Sequence, residues 1–183
     1  DIIVLEDNPY GEVRFGGEWI APIKARDKDG RVIYMGSFSK TMAPGLRIGF
    51  LVMPKPLFNQ FKIAKQATDV HSSNLFQLAC DEFLNHWDYP AHLASIRALY
   101  RRKGLLMYEE MKKHAHPSLR FSKPQGGFFM MVYLPEGRDA MPFVQEALKR
   151  KVITVPGSAF TTDPEQPNNG VRLNFSAPSE EQI

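Results

Sequence analysis

The chain has 183 residues, a formal net charge of +3, and 43% hydrophobic against 23% charged residues. That balance is ordinary for a globular protein of one medium or two small domains, and the charge is too small and too evenly spread for a nucleic-acid-binding surface. No apolar run approaches the roughly 20 residues of a membrane span, while the lone Cys80 and histidines without metal-ligand spacing lead us to expect a cytoplasmic protein with no metal site.

In chain order, Ile2-Ile3-Val4-Leu5 reads as a buried strand that ends at Asn8-Pro9. Arg31 to Gly36 and Ile48 to Val52 read the same way. Three such runs predict an α/β fold with a largely buried parallel or mixed sheet. Pro56 suits the first position of a helix over 57–69. Leu75, Leu78, Ala79 and Phe83 keep helical spacing, with Ser72 or Ser73 as the expected cap. After Pro90, the positions Leu93, Ile96, Tyr100, Gly104, Met107 and Met111 share one face of a helix of about six turns. Within it, Arg101-Arg102-Lys103 reads as a solvated face.

Beyond His116-Pro117 the pattern changes to a smaller α+β unit. It comprises a strand at 119–121, a Gly126-Gly127 turn, a strand at 128–134, a helix at 140–150 capped by Asp139, and strands at 152–155 and 171–175. The expected organisation is a large-domain portion over 1–90, a connecting helix over 91–116 and a small domain over 117–183. The first residues do not resemble a signal peptide. Ser179-x-x-Gln182 is a capping signal that opens a helix. A start on a buried strand and a finish on a cap are both expected of residues cut from a longer protein.

The chemistry-bearing stretch is Gly36-Ser37-Phe38-Ser39-Lys40-Thr41-Met42-Ala43-Pro44-Gly45-Leu46-Arg47, between two strands. Hydroxyls and a guanidinium on a loop of small residues can donate to a phosphate. A lysine there can act as a Schiff-base nucleophile if its pKa is lowered. Glu6-Asp7-Asn8-Pro9-Tyr10-Gly11 follows the first strand, and ligands of α/β sheets collect at carboxyl ends of strands. Taken singly, each piece also reads as an ordinary turn or surface loop.

Together, Asp7-x-x-Tyr10, Ser37-x-Ser39-Lys40, Gly45-x-Arg47-x-Gly49, Pro124-x-Gly126-Gly127-Phe128-Phe129, Val155-Pro156-Gly157-Ser158-x-Phe160 and Arg172-Leu173-Asn174-Phe175-Ser176 run in one order. On these motifs the chain resembles fold type I pyridoxal-phosphate enzymes, the aspartate aminotransferase superfamily, over essentially its whole length. Its nearest likeness is to the branch of aminoadipate and kynurenine aminotransferases and MocR-type regulators. The resemblance implies the mixed, mainly parallel sheet of the large domain and a smaller α+β domain.

It also implies pyridoxal 5'-phosphate held as an internal aldimine on Lys40, with the freed amine moving the substrate proton. By the same resemblance Asp7 faces the pyridine nitrogen and Tyr10 the phenolic oxygen. Ser37, Ser39 and Arg47 hold the phosphate, and Arg172 binds the substrate α-carboxylate. The implied reaction moves an amino group between an amino acid and a 2-oxo acid, in a homodimer. Rival readings are the effector-sensing domain of a MocR-type transcription regulator, a pyridoxal-phosphate lyase, and a binding module with no cofactor. Family members use further cofactor contacts upstream of the first strand. The present residues are therefore expected to bind the cofactor weakly and to be inactive by themselves.

Overall fold

The computed structural model describes residues 2–163 and 165–183. They form two compact units, Asp1–Arg97 and Ala98–Ile183, and the division falls within one long helix.

In the first unit, β1 (Val4–Asp7), β2 (Val32–Ser37) and β3 (Gly49–Val52) form a sheet in that order. β1 and β2 are parallel, with Asp7 opposite Met35. β2 and β3 are antiparallel, with Ser37 opposite Gly49, so the sheet is mixed. The carboxyl ends of β1 and β2 and the start of β3 therefore meet at one end of the sheet. β2 is the buried strand, with Val32 at 5% and Ile33 at 2% exposure. The expectation that β1 and β3 are buried is not met. As the outer strands, they leave Leu5, Phe50, Leu51 and Val52 exposed, because no described element covers those side chains.

The Phe50 ring lies across Gly36, where a Cβ would come within 2.3 Å of it. Gly36 is thus the residue that admits the ring, which also packs against Tyr34 and Phe38. A 3-10 turn over Lys55–Leu57 contains Pro56 and leads into α1 (Phe58–Asp69). Ser73 occupies the N-cap of α2 (Asn74–His86), but its side chain makes no capping bond. The Gln77 side-chain amide donates to the Ser72 carbonyl at 2.9 Å beside that end. Within α2 the buried residue is Cys80, whereas Leu75 and Leu78 are exposed. Burial pushes the Cys80 thiol pKa up.

Helix α3 (Tyr89–His114) has 26 residues and begins two residues before the expected connecting helix over 91–116. Pro90 sits in its first turn, where no intrahelical N–H is needed, and Asp88 accepts from Ala91 N at 2.9 Å.

In the second unit, β4 (Arg120–Phe121), β5 (Phe129–Tyr133), β6 (Val155–Pro156) and β7 (Gly170–Asn174) form a four-stranded sheet in the order β4-β5-β7-β6. Met130, Val132, Val171, Phe128 and Phe175 make its core. Gly104 of α3 lets the fully buried Phe175 ring approach the helix, since a Cβ there would stand 3.2 Å from the ring. Helix α4 (Ala140–Lys149) starts as expected, with Asp139 accepting from Met141 N. The strand expected over 152–155 shrinks to Val155–Pro156. Lys151 turns through φ 64, and Val152 N is used by the Ala147 carbonyl to close α4, so it cannot join a ladder. Nor is the basic run on α3 merely solvated: Lys103 donates to the Ser176 carbonyl at 2.8 Å and Arg102 pairs with Glu180. At Ser179 one arm of the capping pair is present, its N–H donating to Gln182 Oε1 at 2.8 Å, while Gln182 N donates to the Ser179 main-chain oxygen at 3.1 Å.

Candidate functional site

Asp7 ends β1 and Ser37 ends β2, on neighbouring strands. After Asp7 the chain turns away from the sheet, and the Asn8 N–H continues the parallel ladder to the Met35 carbonyl at 3.0 Å. This places Tyr10 at the mouth of the sheet end. Behind it, burial pushes the Tyr34 phenol pKa up, opposed by a hydrogen bond with Asn8. After Ser37 comes a turn in which Ser39 and Lys40 are half-buried and Thr41 is 5% exposed. The turn is closed by Met42 N donating to the Phe38 carbonyl at 2.8 Å.

The structure brings Lys40 and Tyr10 together. The Lys40 Nζ stands 5.8 Å from the centre of the Tyr10 ring. The Ser37 Oγ accepts from Ser39 N at 3.1 Å. That bond uses a lone pair and leaves the Ser37 hydroxyl proton available to an outside acceptor. Arg47 follows the 3-10 turn Pro44–Leu46 in a left-handed conformation, φ 55, with Nη1 donating to the Pro44 carbonyl at 3.1 Å. One of its five donors is so used, and the side chain is exposed. Where a side chain would begin at Gly45, no atom lies within 4 Å. The Asp7 carboxylate is exposed and has no hydrogen-bond or ion-pair partner among the described residues. Asp7, Ser37 and the turn that carries Ser39, Lys40 and Arg47 thus lie at one end of the sheet, with Lys40 over Tyr10.

Arg172 lies in the second unit, at the centre of β7 opposite Met131 and Val155. Phe129 is its diagonal neighbour on the same face, since Phe129 is paired with Asn174. The guanidinium is held between two rings, 4.1 Å from the centre of Phe129 and 4.4 Å from that of Phe160. It has no hydrogen-bond or ion-pair partner among the described residues. Stacking fixes the plane while the donors on its edge remain unused, an arrangement suited to a carboxylate fork. The Gly157 position is structural, because a Cβ there would meet Asn168 Oδ1 at 2.1 Å.

Three partners were not anticipated from sequence: Phe129 and Phe160 as the Arg172 clamp, and His92, whose Nε2 lies 2.7 Å from the Thr41 carbonyl. Phe129 and Phe160 belong to two of the motifs quoted from the sequence and His92 is an ordinary helix residue, but only the fold shows what each of them touches.

The chain was compared with known proteins. A 37% identical relative, matching all of this chain and 44% of its own length, is aromatic-amino-acid aminotransferase 1 of Thermococcus litoralis. The HTH-type transcriptional regulator YisV of Bacillus subtilis, itself uncharacterised, is 33% identical over 94% of the chain and 35% of its own length. The alpha-aminoadipate aminotransferase LysN of Thermus thermophilus, solved with N-(5'-phosphopyridoxyl)-L-leucine, superimposes with a TM-score of 0.90 at 30% identity, over 98% of this chain and 46% of that one. The chain thus spans less than half the length of these relatives. The model of the family described as aminotransferase class I and II matches residues 1–183. With its α/β architecture, its mixed sheet and this match over its full length, the chain belongs to the class I and II aminotransferase family.

Proposed function

We propose that this chain carries the lysine-bearing half of a pyridoxal-phosphate aminotransferase, which moves an amino group between an amino acid and a 2-oxo acid. The observation that carries this reading is the Lys40 amine over the Tyr10 ring at 5.8 Å, at the sheet end that also holds Asp7, Ser37 and Arg47. The donor set fits the cofactor's three demands: an amine, a carboxylate for a ring N–H, and hydroxyl and guanidinium donors for a phosphate dianion.

Bound there, pyridoxal phosphate supplies an electron sink for the substrate Cα. Lys40 Nζ would be the amine that attaches the cofactor and the group that takes and returns the substrate Cα proton. Asp7 would accept from the ring N–H and favour its protonated form by its negative charge. The Tyr10 hydroxyl would donate to the phenolic oxygen. Ser37, Ser39 and Arg47 would hold the phosphate. Arg172 orients the substrate by a two-point contact with its α-carboxylate.

We place the protein in the cytoplasm as a homodimer, on its single cysteine and its family. Among the described residues no helix is long and apolar enough to cross a membrane. The residues over 1–90 are read as large domain and those over 117–183 as small domain, joined by α3. A second reading, the sensing domain of a transcription regulator, draws on the YisV relationship.

Initial rates of the whole protein with pyridoxal phosphate, varying amino acid and 2-oxo acid together, test these readings. Parallel double-reciprocal lines are expected for amino transfer. Turnover that needs no oxo acid would identify a lyase. Amino-acid-dependent DNA retention without turnover would identify the regulator.

A further inference from the structure

The start of α3 reaches back to both loops that present the candidate site. His92 Nε2 lies 2.7 Å from the main-chain oxygen of Thr41, the residue after Lys40. A carbonyl oxygen only accepts, so Nε2 carries the proton in this contact. Five residues on, Arg97 Nε donates to the main-chain oxygen of Glu12 at 2.7 Å, and its Nη2 reaches the Glu12 carboxylate at 3.0 Å. Glu12 stands two residues past Tyr10. One helix therefore fastens the lysine loop and the tyrosine loop, through side chains on consecutive turns.

Neither fastening reads as a stability device. The Arg97–Glu12 pair is partly exposed, at 36% and 57%, and such pairs contribute little. Its main-chain bond instead fixes where the loop lies. The Thr41 hydroxyl is buried without a partner, so that side chain does not anchor its own loop. The His92 ring is set by its surroundings, edge-on to Phe83 at 5.2 Å and stacked on Tyr89 at 6.4 Å. A donor flanked by two rings in this way defines the position of the carbonyl it meets.

We propose that His92 and Arg97 are positioning residues: through Thr41 and Glu12 they set the Lys40 amine relative to the Tyr10 ring. The inference rests on Lys40 being the cofactor lysine. An amine that both binds and carries a proton tolerates little displacement, and a shift of about 1 Å can cost on the order of 100-fold in rate.

The test uses the whole protein and pyridoxal phosphate itself. In the cofactor-free protein, nitrogen-15 NMR of the histidine rings should show His92 protonated at Nε2 at neutral pH. In the loaded protein, His92→Ala should move the pH midpoint of the cofactor's visible band by about one unit. It should also lower kcat roughly 10- to 100-fold, with KM for the amino acid changed less than about threefold. His92→Gln keeps an amide donor within reach of the Thr41 carbonyl and should restore both. Arg97→Ala should shift the band midpoint as well. Thermal melts matched to wild type exclude misfolding, and the Gln and Arg97 variants keep the test open if the Ala variant does not fold. An unmoved band midpoint in folded His92→Ala and Arg97→Ala overturns the inference, as does a Gln variant no better than Ala. Lys40→Ala separates the two levels: cofactor that borohydride still fixes covalently to this variant as it does to wild type overturns the function proposed above, whatever His92 does.

Discussion

Replacing Arg172 by lysine keeps the positive charge and removes the planar fork. The guanidinium lies 4.1 and 4.4 Å from two ring centres, with no hydrogen-bond partner of its own among the described residues. Its donors are therefore available to a carboxylate, and the rings hold the plane in which they are presented. Lysine offers one point contact where arginine offers two, so one charge-assisted bond of about 1.5–3 kcal/mol is lost. At about 1.4 kcal/mol per tenfold, kcat/KM for an α-amino acid should fall roughly 10- to 200-fold. Phe160→Ala keeps the fork and loses one stacking ring, about 0.5–1 kcal/mol, or roughly two- to fivefold. Steady-state kinetics of the whole protein read both variants. An amine substrate without a carboxylate serves as the control, since its rate should be almost unchanged in either. If Arg172→Lys leaves kcat/KM for amino acids within twofold of wild type, the guanidinium does not bind the carboxylate. If the amine control falls equally, the loss is structural.

Three further outcomes follow from the packing. Phe175→Ala empties a fully buried ring position beside Gly104 and should cost about 3–5 kcal/mol, seen as a lower urea midpoint at unchanged m. Gly49→Ala drives a Cβ to 2.9 Å from the Gly36 main-chain oxygen, and main chain cannot swing aside. A loss of about 1–3 kcal/mol is expected, together with weaker cofactor retention because β3 leads out of the Arg47 turn. The Asp27 carboxylate, enclosed to 3% exposure, is held far below the usual carboxylate range by the Arg31 N–H, the Lys24 ammonium at 2.9 Å and the Val32 N–H. Its stabilisation is present above the unfolded pKa of about 4 and is lost as pH falls below that toward the depressed folded value. Melting curves from pH 7 to 2 should thus show a shallower acid decline in Asp27→Asn than in wild type, from a lower starting stability at neutral pH.

The placement of the candidate residues was legible because it is local: Asp7 ends one apolar run and Ser37-x-Ser39-Lys40 follows another, and the structure puts both at strand ends. The covalent role of Lys40 came from the resemblance of several motifs together, not from that stretch by itself. Asp139 as a cap and the Ser179 N–H to Gln182 side-chain bond were readable, since both are local. What sequence hid was tertiary. The exposure of β1 and β3 depends on strand order, which an apolar run does not encode. The shortening of β6 follows from Val152 being drawn to α4. His92 lies 51 positions from Thr41, and nothing in its neighbourhood in sequence points there. The Phe129 and Phe160 clamp needs the register of β5 on β7 before it can be seen.

Among the described residues, the order β1-β2-β3 leaves each outer strand with one side paired to another strand. Leu5, Phe50, Leu51 and Val52 lie exposed on those same strands. Main-chain groups that find no neighbour along such a border, next to greasy side chains, are templates for another chain to zip onto. Prepared as these 183 residues alone, the polypeptide should self-associate as concentration rises, with a growing cross-β signature in thioflavin fluorescence. Lysines introduced at Leu5 and Leu51 should suppress that assembly.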